Sequence, residues 1–222
     1  MNFIKKIGTC IATSWRLFKE MWQIISGLYK ILDLSRPCVS IFGGSRLKQD
    51  TFFAKHAYEI SAKLVQNGIS VLTGGGPGIM EAGNCGAVSV AKKGETVTIG
   101  IGVRGLEEQL FNRCATKNIQ FDYFFSRKWL LIHYSVGFVV FPGGLGTMDE
   151  LSDLLSQMQT GKLPPAPVVL IGVDYWKPYE AWVNQARKEN LLSGIHEPKI
   201  VLTDDIDEAV AVLLGHCKQC KI

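Results

Sequence analysis

Between Trp15 and Leu34 apolar side chains recur every three or four residues, at Trp15, Phe18, Trp22, Ile25, Tyr29 and Leu32. That period predicts an amphipathic helix, with Ser14 available as its N-cap and Arg36-Pro37 ending it. After Pro37 the pattern changes: short β-rich runs alternate with longer runs at helical spacing, the order expected of βαβ units around a parallel sheet. Strands are expected at Cys38–Phe42, Ile69–Thr73, Thr96–Val103, Val136–Phe141, Pro167–Val173 and Lys199–Thr203. Helices are expected at Phe52–Gln66, Ile79–Lys93, Arg127–Ser135, Met148–Gln159, Trp176–Glu189 and Ile206–His216. Several strand runs are apolar throughout, as happens when helices cover both faces of a sheet. The chain reads as an N-terminal helical arm, residues 1–36, followed by one Rossmann-like α/β domain, residues 37–222, with a doubly wound parallel sheet.

Composition sharpens this picture at two points. Glycine supplies 23 of the 222 residues, above the usual ~7%, so the backbone must bend or approach a ligand somewhere. The formal net charge of +4 lies wholly in the arm, where Lys5, Lys6, Arg16, Lys19, Lys30 and Arg36 face only Glu20 and Asp33. The remaining body is neutral, which argues against nucleic-acid binding. Because the arm's charge is sparse rather than clustered, it is expected to pack on the body or on a second subunit, not on a membrane. The apolar run Ile7 to Ala12 is too short for a signal peptide and lacks a cleavage pattern, and no run reaches the ~18 to 20 apolar residues of a membrane span. Six scattered cysteines, Cys10, Cys38, Cys85, Cys114, Cys217 and Cys220, are therefore expected to be reduced thiols in a cytoplasmic protein.

Nine glycines fall at three expected strand ends: Gly43-Gly44 before Ser45, Gly74-Gly75-Gly76-Pro77-Gly78, and Gly143-Gly144-Leu145-Gly146 after Pro142. In an open parallel sheet ligands bind outside the carboxyl ends of the strands, and a glycine turn opening a helix offers free N–H groups and the positive end of the helix dipole to a phosphate. A dinucleotide fingerprint from Gly74 fails at Ile79, and no turn continues into the Gly-Lys-Ser/Thr of a triphosphate loop. A small monophosphate fits better, although Gly74 to Gly78 would also suit tight strand-helix packing. Thr147 and Glu150 stand three apart, which equally matches a capping box and a carboxylate one turn into a phosphate-cradling helix. Asp149 points about 100° further round. No lysine sits in a context suited to a PLP Schiff base. Cys217 and Cys220 fall short of a four-ligand zinc site, and His56, His133 and His196 show no ligand spacing, so no metal or organic cofactor is expected.

Two motifs together, Gly74-Gly75-Gly76-Pro77-Gly78-Ile79-Met80-Glu81-Ala82 and Pro142-Gly143-Gly144-Leu145-Gly146-Thr147-Met148-Asp149-Glu150, resemble the LOG (LONELY GUY) family, often labelled "possible lysine decarboxylase". The resemblance runs from about Ser35 to the C-terminus, and Ser14-Trp15-Arg16-Leu17-Phe18 is similar to the N-terminal helix of longer bacterial members. It implies hydrolysis of the N-glycosidic bond of a nucleoside 5′-monophosphate, a cytokinin ribotide or AMP, by a homodimer or larger homo-oligomer. It further implies Glu150 for water activation or cation stabilisation, and Arg127, with its neighbour Lys128, for orienting substrate and the departing base. Gly143, Gly144, Gly146 and Thr147 would cradle the phosphate, helped by Ser45 and Gly44, with Gly75 and Met80 from the first motif also at the site. Glu108 and Asn112 fall where family members contact base or ribose, but the context Gly105-Leu106-Glu107-Glu108-Gln109 departs from the common leucine-proline pattern, leaving the choice between Glu107 and Glu108 open. Ser156 and Gln159 are candidates from the helix after Glu150, or part of a solvated face.

Overall fold

A computed structural model of the chain describes residues 3–34, 37–105, 112–192 and 199–219. Helix α1, Phe3–Ile31, precedes the sheet domain. Strands β1 (Cys38–Phe42), β2 (Ser70–Thr73), β3 (Thr98–Val103), β4 (Lys117–Phe121), β5 (Gly137–Val140), β6 (Val168–Ile171) and β7 (Ile200–Thr203) form one sheet in the order β4-β3-β2-β1-β5-β6-β7. All pairings are parallel. Helices α2 (Phe52–Gln66), α3 (Ile79–Ser89), α4 (Phe124–His133), α5 (Leu145–Gln159), α6 (Val173–Lys188) and α7 (Ile206–Gln219) provide the crossovers.

Two buried layers sandwich the sheet, as the continuous apolar strands require. One gathers Phe42, Leu72, Ile101, Phe138, Leu151 and Trp176; the other gathers Val39, Ile41, Ile60, Val71, Val139 and Leu213. Alternate residues of β1 and β5 feed opposite layers, so neither face is left to water. Strand order reverses between β1 and β5, each of which is paired to the other. A crevice must open at the carboxyl ends of these two strands, because their following helices leave toward opposite faces.

The Rossmann-like domain and six of its strands match the sequence reading, and β4 is an addition. Its residues Lys117, Asn118 and Gln120 alternate with buried Ile119 and Phe121, an edge-strand pattern rather than an apolar run. Three local expectations are corrected. The first helix runs through Ser14 from Phe3, because Ile4, Ile7 and Ile11 extend the apolar period upstream and leave no cap at Ser14. Helix α4 begins at Phe124, three residues before Arg127. Cys85 and Cys114 form a disulfide, with Cα atoms 4.8 Å apart. Parallel β3 returns the chain to the side of α3, bringing together thiols 29 residues apart in sequence.

Candidate active site

The first and third glycine turns meet at the β1/β5 crevice. The Gly44 N–H donates to the Pro142 carbonyl at 3.0 Å, and the Gly44 carbonyl accepts from Ile79 N–H at 3.2 Å, so the turn after β1 is tied to its counterparts after β5 and β2. A Cβ on Gly44 would lie 3.2 Å from the Pro142 oxygen, and one on Gly143 would collide with the Thr147 hydroxyl and with Gly44 N at 2.9 Å. These glycines let two backbones close on one another. Helix α5 has Gly144 as its N-cap without a side-chain cap, and its first intrahelical bond runs from Met148 N–H to Gly144 carbonyl. The N–H groups of Leu145, Gly146 and Thr147 precede that bond and form the anion-attracting end of the helix. The capping-box alternative for Thr147 and Glu150 is thereby removed, since Thr147 lies inside the helix rather than at its cap.

Glu150 stands one turn deeper, 7% exposed, and its carboxylate accepts from the Arg127 guanidinium of α4, itself 8% exposed. Burial raises the Glu150 carboxyl above its ordinary value, while Arg127 opposes that shift. Arg127 keeps a buried Nε with no hydrogen-bond partner among the described residues. An unpartnered donor on a buried cation is costly unless a ligand or water answers it. A Cβ on Gly74 would sit 2.5 Å from Arg127 Nη2 and 2.7 Å from Met80 Sδ, so the guanidinium and Met80 converge over the glycine turn after β2. Lys128 turns away and pairs with Asp149 at 3.1 Å and Asp153 at 3.4 Å. Partial burial pulls Lys128 down, but the two carboxylates outweigh it and hold its ammonium above the ordinary value.

The structure brings together Gly44, Gly75, Met80, Arg127, Gly143, Gly144, Gly146, Thr147 and Glu150, with Ser45 in the turn that follows β1. Asn112 is buried, but its amide is engaged by protein: it donates to Gly76 carbonyl at 3.0 Å and accepts from Asn84 at 3.2 Å, from Cys114 N–H and from Ala115 N–H. Its own N–H donates to Gly75 carbonyl at 3.1 Å. Asn112 thus fastens the Gly74–Gly78 turn. Ser156 is exposed and lies about 120° round α5 from Glu150, outside the cluster; Gln159 is about 180° away. Glu107 and Glu108 lie outside the described residues, as do Cys220 and His196. Sequence reasoning missed Tyr175, whose hydroxyl donates to the Gly143 carbonyl at 2.5 Å from the start of α6. It also missed Gln49, which donates to Gly78 carbonyl at 2.9 Å. Tyr175 follows a strand end closely, whereas Gln49 lies in the connection between β1 and α2 and carried no such signal.

An all-parallel doubly wound sheet with glycine turns converging at its switch point defines the Rossmann-like α/β class. The family described as "Possible lysine decarboxylase" matches over residues 80–213, and the chain belongs to this LOG family. A cytokinin riboside 5′-monophosphate phosphoribohydrolase of Mycobacterium tuberculosis is 29% identical over 159 residues, covering 69% of this chain and 81% of the relative. A probable enzyme of the same name from Oryza sativa subsp. japonica is 28% identical over 165 residues, covering 70% of this chain and 69% of the relative. Among solved structures, the molybdenum cofactor carrier protein of Chlamydomonas reinhardtii shares the fold with a TM-score of 0.58 at 21% identity, over 82% of this chain and 99% of the other. The molybdenum cofactor binding protein of Rippkaea orientalis does so with a TM-score of 0.59 at 18% identity, over 81% and 96%.

Proposed function

We propose that this protein hydrolyses the N-glycosidic bond of nucleoside 5′-monophosphates, AMP or an N6-modified adenine ribotide, to a free base and ribose 5-phosphate. The observation that carries this reading is the buried Arg127–Glu150 pair set one helical turn beyond open backbone N–H groups. The 5′-phosphate sits on the N–H groups of Leu145, Gly146 and Thr147, which anchors the ribose beside Glu150. As the C1′–N bond breaks, positive charge develops on the sugar and negative charge on the departing base. The Glu150 carboxylate stabilises that cation and takes a proton from the water whose oxygen bonds to C1′. The Arg127 guanidinium is placed to stabilise the charge on the base, which leaves with the bonding electron pair and acquires a proton. The relatives named as phosphoribohydrolases support this chemistry, which needs no group beyond the side chains and water.

Incubation of purified protein with AMP, alongside a Glu150→Gln variant, tests it. Wild type should release adenine, and the variant should bind AMP with turnover lowered about 10²- to 10⁴-fold. Tight AMP binding by wild type without any base release would instead identify a carrier.

A further inference from the structure

The long α1 has two faces with separate employment. Glu20, Gly27 and Ile31 are buried against the body, where a Cβ on Gly27 would stand 2.9 Å from the Phe121 ring and 3.1 Å from Leu130. On the far side Ile4, Ile11, Trp15, Phe18, Trp22 and Tyr29 are each more than half exposed, and at 100° per residue they occupy a sector about 60° to 80° wide. That stripe runs the whole length of the helix and points away from the sheet domain. Trp15, Trp22 and Tyr29 recur within it at seven-residue intervals.

The charges are arranged to match. Lys5, Lys6, Arg16, Lys19 and Lys30 all fall outside the apolar sector. The arm's two acids are neutralised or hidden: Glu20 is 1% exposed, and Asp33 is ion-paired with Lys117. Lys5, Lys6 and Arg16 have no ion-pair partner among the described residues. Sparse as it is, the positive charge is therefore unopposed on the outward half of the arm.

We infer that α1 lies in the plane of a membrane surface bearing anionic lipids, its apolar sector among the acyl chains and Lys5, Lys6 and Arg16 at the headgroups. The chemistry favours this occupant over a second copy of the helix. Flanking charges of complementary sign commonly hold a two-helix seam, whereas a second α1 offers no available acid to Lys5, Lys6 or Arg16, since Glu20 is buried and Asp33 is paired with Lys117. Indole and phenol tips along an apolar face suit the water-lipid boundary. No helix among the described residues is long and apolar enough to cross a membrane, so the helix would rest on the surface.

Sedimentation of the full chain with vesicles of phosphatidylcholine alone, or of phosphatidylcholine with phosphatidylglycerol, tests the inference. Two variants accompany wild type: Ile11→Asp with Phe18→Asp, and Lys5→Gln with Lys6→Gln and Arg16→Gln. All five positions are exposed, and circular dichroism with the thermal midpoint verifies that each variant folds. Wild type should pellet with the anionic vesicles and be released by salt, with tryptophan emission shifting to the blue. The charge variant should partition on the order of 100-fold more weakly, and the apolar variant should stay in the supernatant. Failure to pellet, or equal pelleting of wild type and the charge variant with both vesicle types, would overturn the inference. So would a lipid-free oligomer that the Ile11→Asp, Phe18→Asp change disperses while vesicles bind neither protein, which would assign the face to a second copy.

Discussion

Arg127 and Glu150 depend on each other because neither meets enough water to be solvated alone. Removing one partner of a buried pair strands the other, so Arg127→Ala should destabilise the fold by about 3 kcal/mol near neutral pH. The deficit should depend on pH in a definite direction. Burial already raises the Glu150 carboxyl, and loss of the guanidinium raises it further, while the unfolded chain keeps the ordinary value. Between those two values the folded variant holds one proton more than the unfolded chain, so its stability falls as pH rises through the window and recovers as pH falls. Urea midpoints of wild type and variant across the acid range check this; a deficit independent of pH would show that Glu150 is not the stranded charge. Glu150 was legible in the sequence through the motif around Gly143, and Arg127 through the Arg127-Lys128 pair that the family resemblance matches. Their burial and contact were not, because Arg127 and Glu150 lie on different helices and no local pattern encodes the distance between them. Asn112 was legible as a position but not as a role: its partners at Gly75, Gly76 and Asn84 belong to segments far away in sequence.

The crossover between β3 and β4 carries the Gly74–Gly78 clamp, and it is stapled to α3 by Cys85–Cys114. Closing a loop of that length lowers the entropy of the unfolded chain by an amount worth about 3 to 4 kcal/mol. Reduction by dithiothreitol, or Cys114→Ser, should lower the urea midpoint accordingly and raise KM for AMP more than it lowers kcat, since Asn112 lies two residues from Cys114. An unchanged KM would separate the staple from the site. Elements with a strong period were read well: α2 and β1 carry the expected bounds, while the other domain elements differ mainly at their ends. The misses have physical causes. Strand β4 lies at the sheet edge and buries only one side of its pleat, so Ile119 and Phe121 alone could not announce it. The start of α5 was hidden by Thr147, whose spacing to Glu150 imitates a cap that Gly144 supplies without a side chain.

At the scale of the molecule, strand order decides where chemistry can happen. Among the described residues, the β1/β5 switch point brings two glycine turns into one crevice, and the nine clustered glycines collect along that edge of the sheet. The arm is attached on the other flank, through β4 and α4, by Glu20, Gly27 and Ile31. Residues 3–19 are exposed throughout, so deleting residues 1–18 removes no side chain that is buried among the described residues and should leave kcat/KM for AMP in lipid-free solution unchanged. A loss of activity with an intact thermal midpoint would tie the arm to the site.

In the proposed reaction water attacks the anomeric carbon of a ribose held by its 5′-phosphate. Reaction of AMP in water labelled with heavy oxygen, followed by mass spectrometry of every product, tests it most directly. The predicted result is one labelled oxygen in ribose 5-phosphate and none in adenine or in inorganic phosphate, with that product forming about 10²- to 10⁴-fold more slowly in Glu150→Gln. Labelled inorganic phosphate, or AMP recovered intact from wild type, would contradict it.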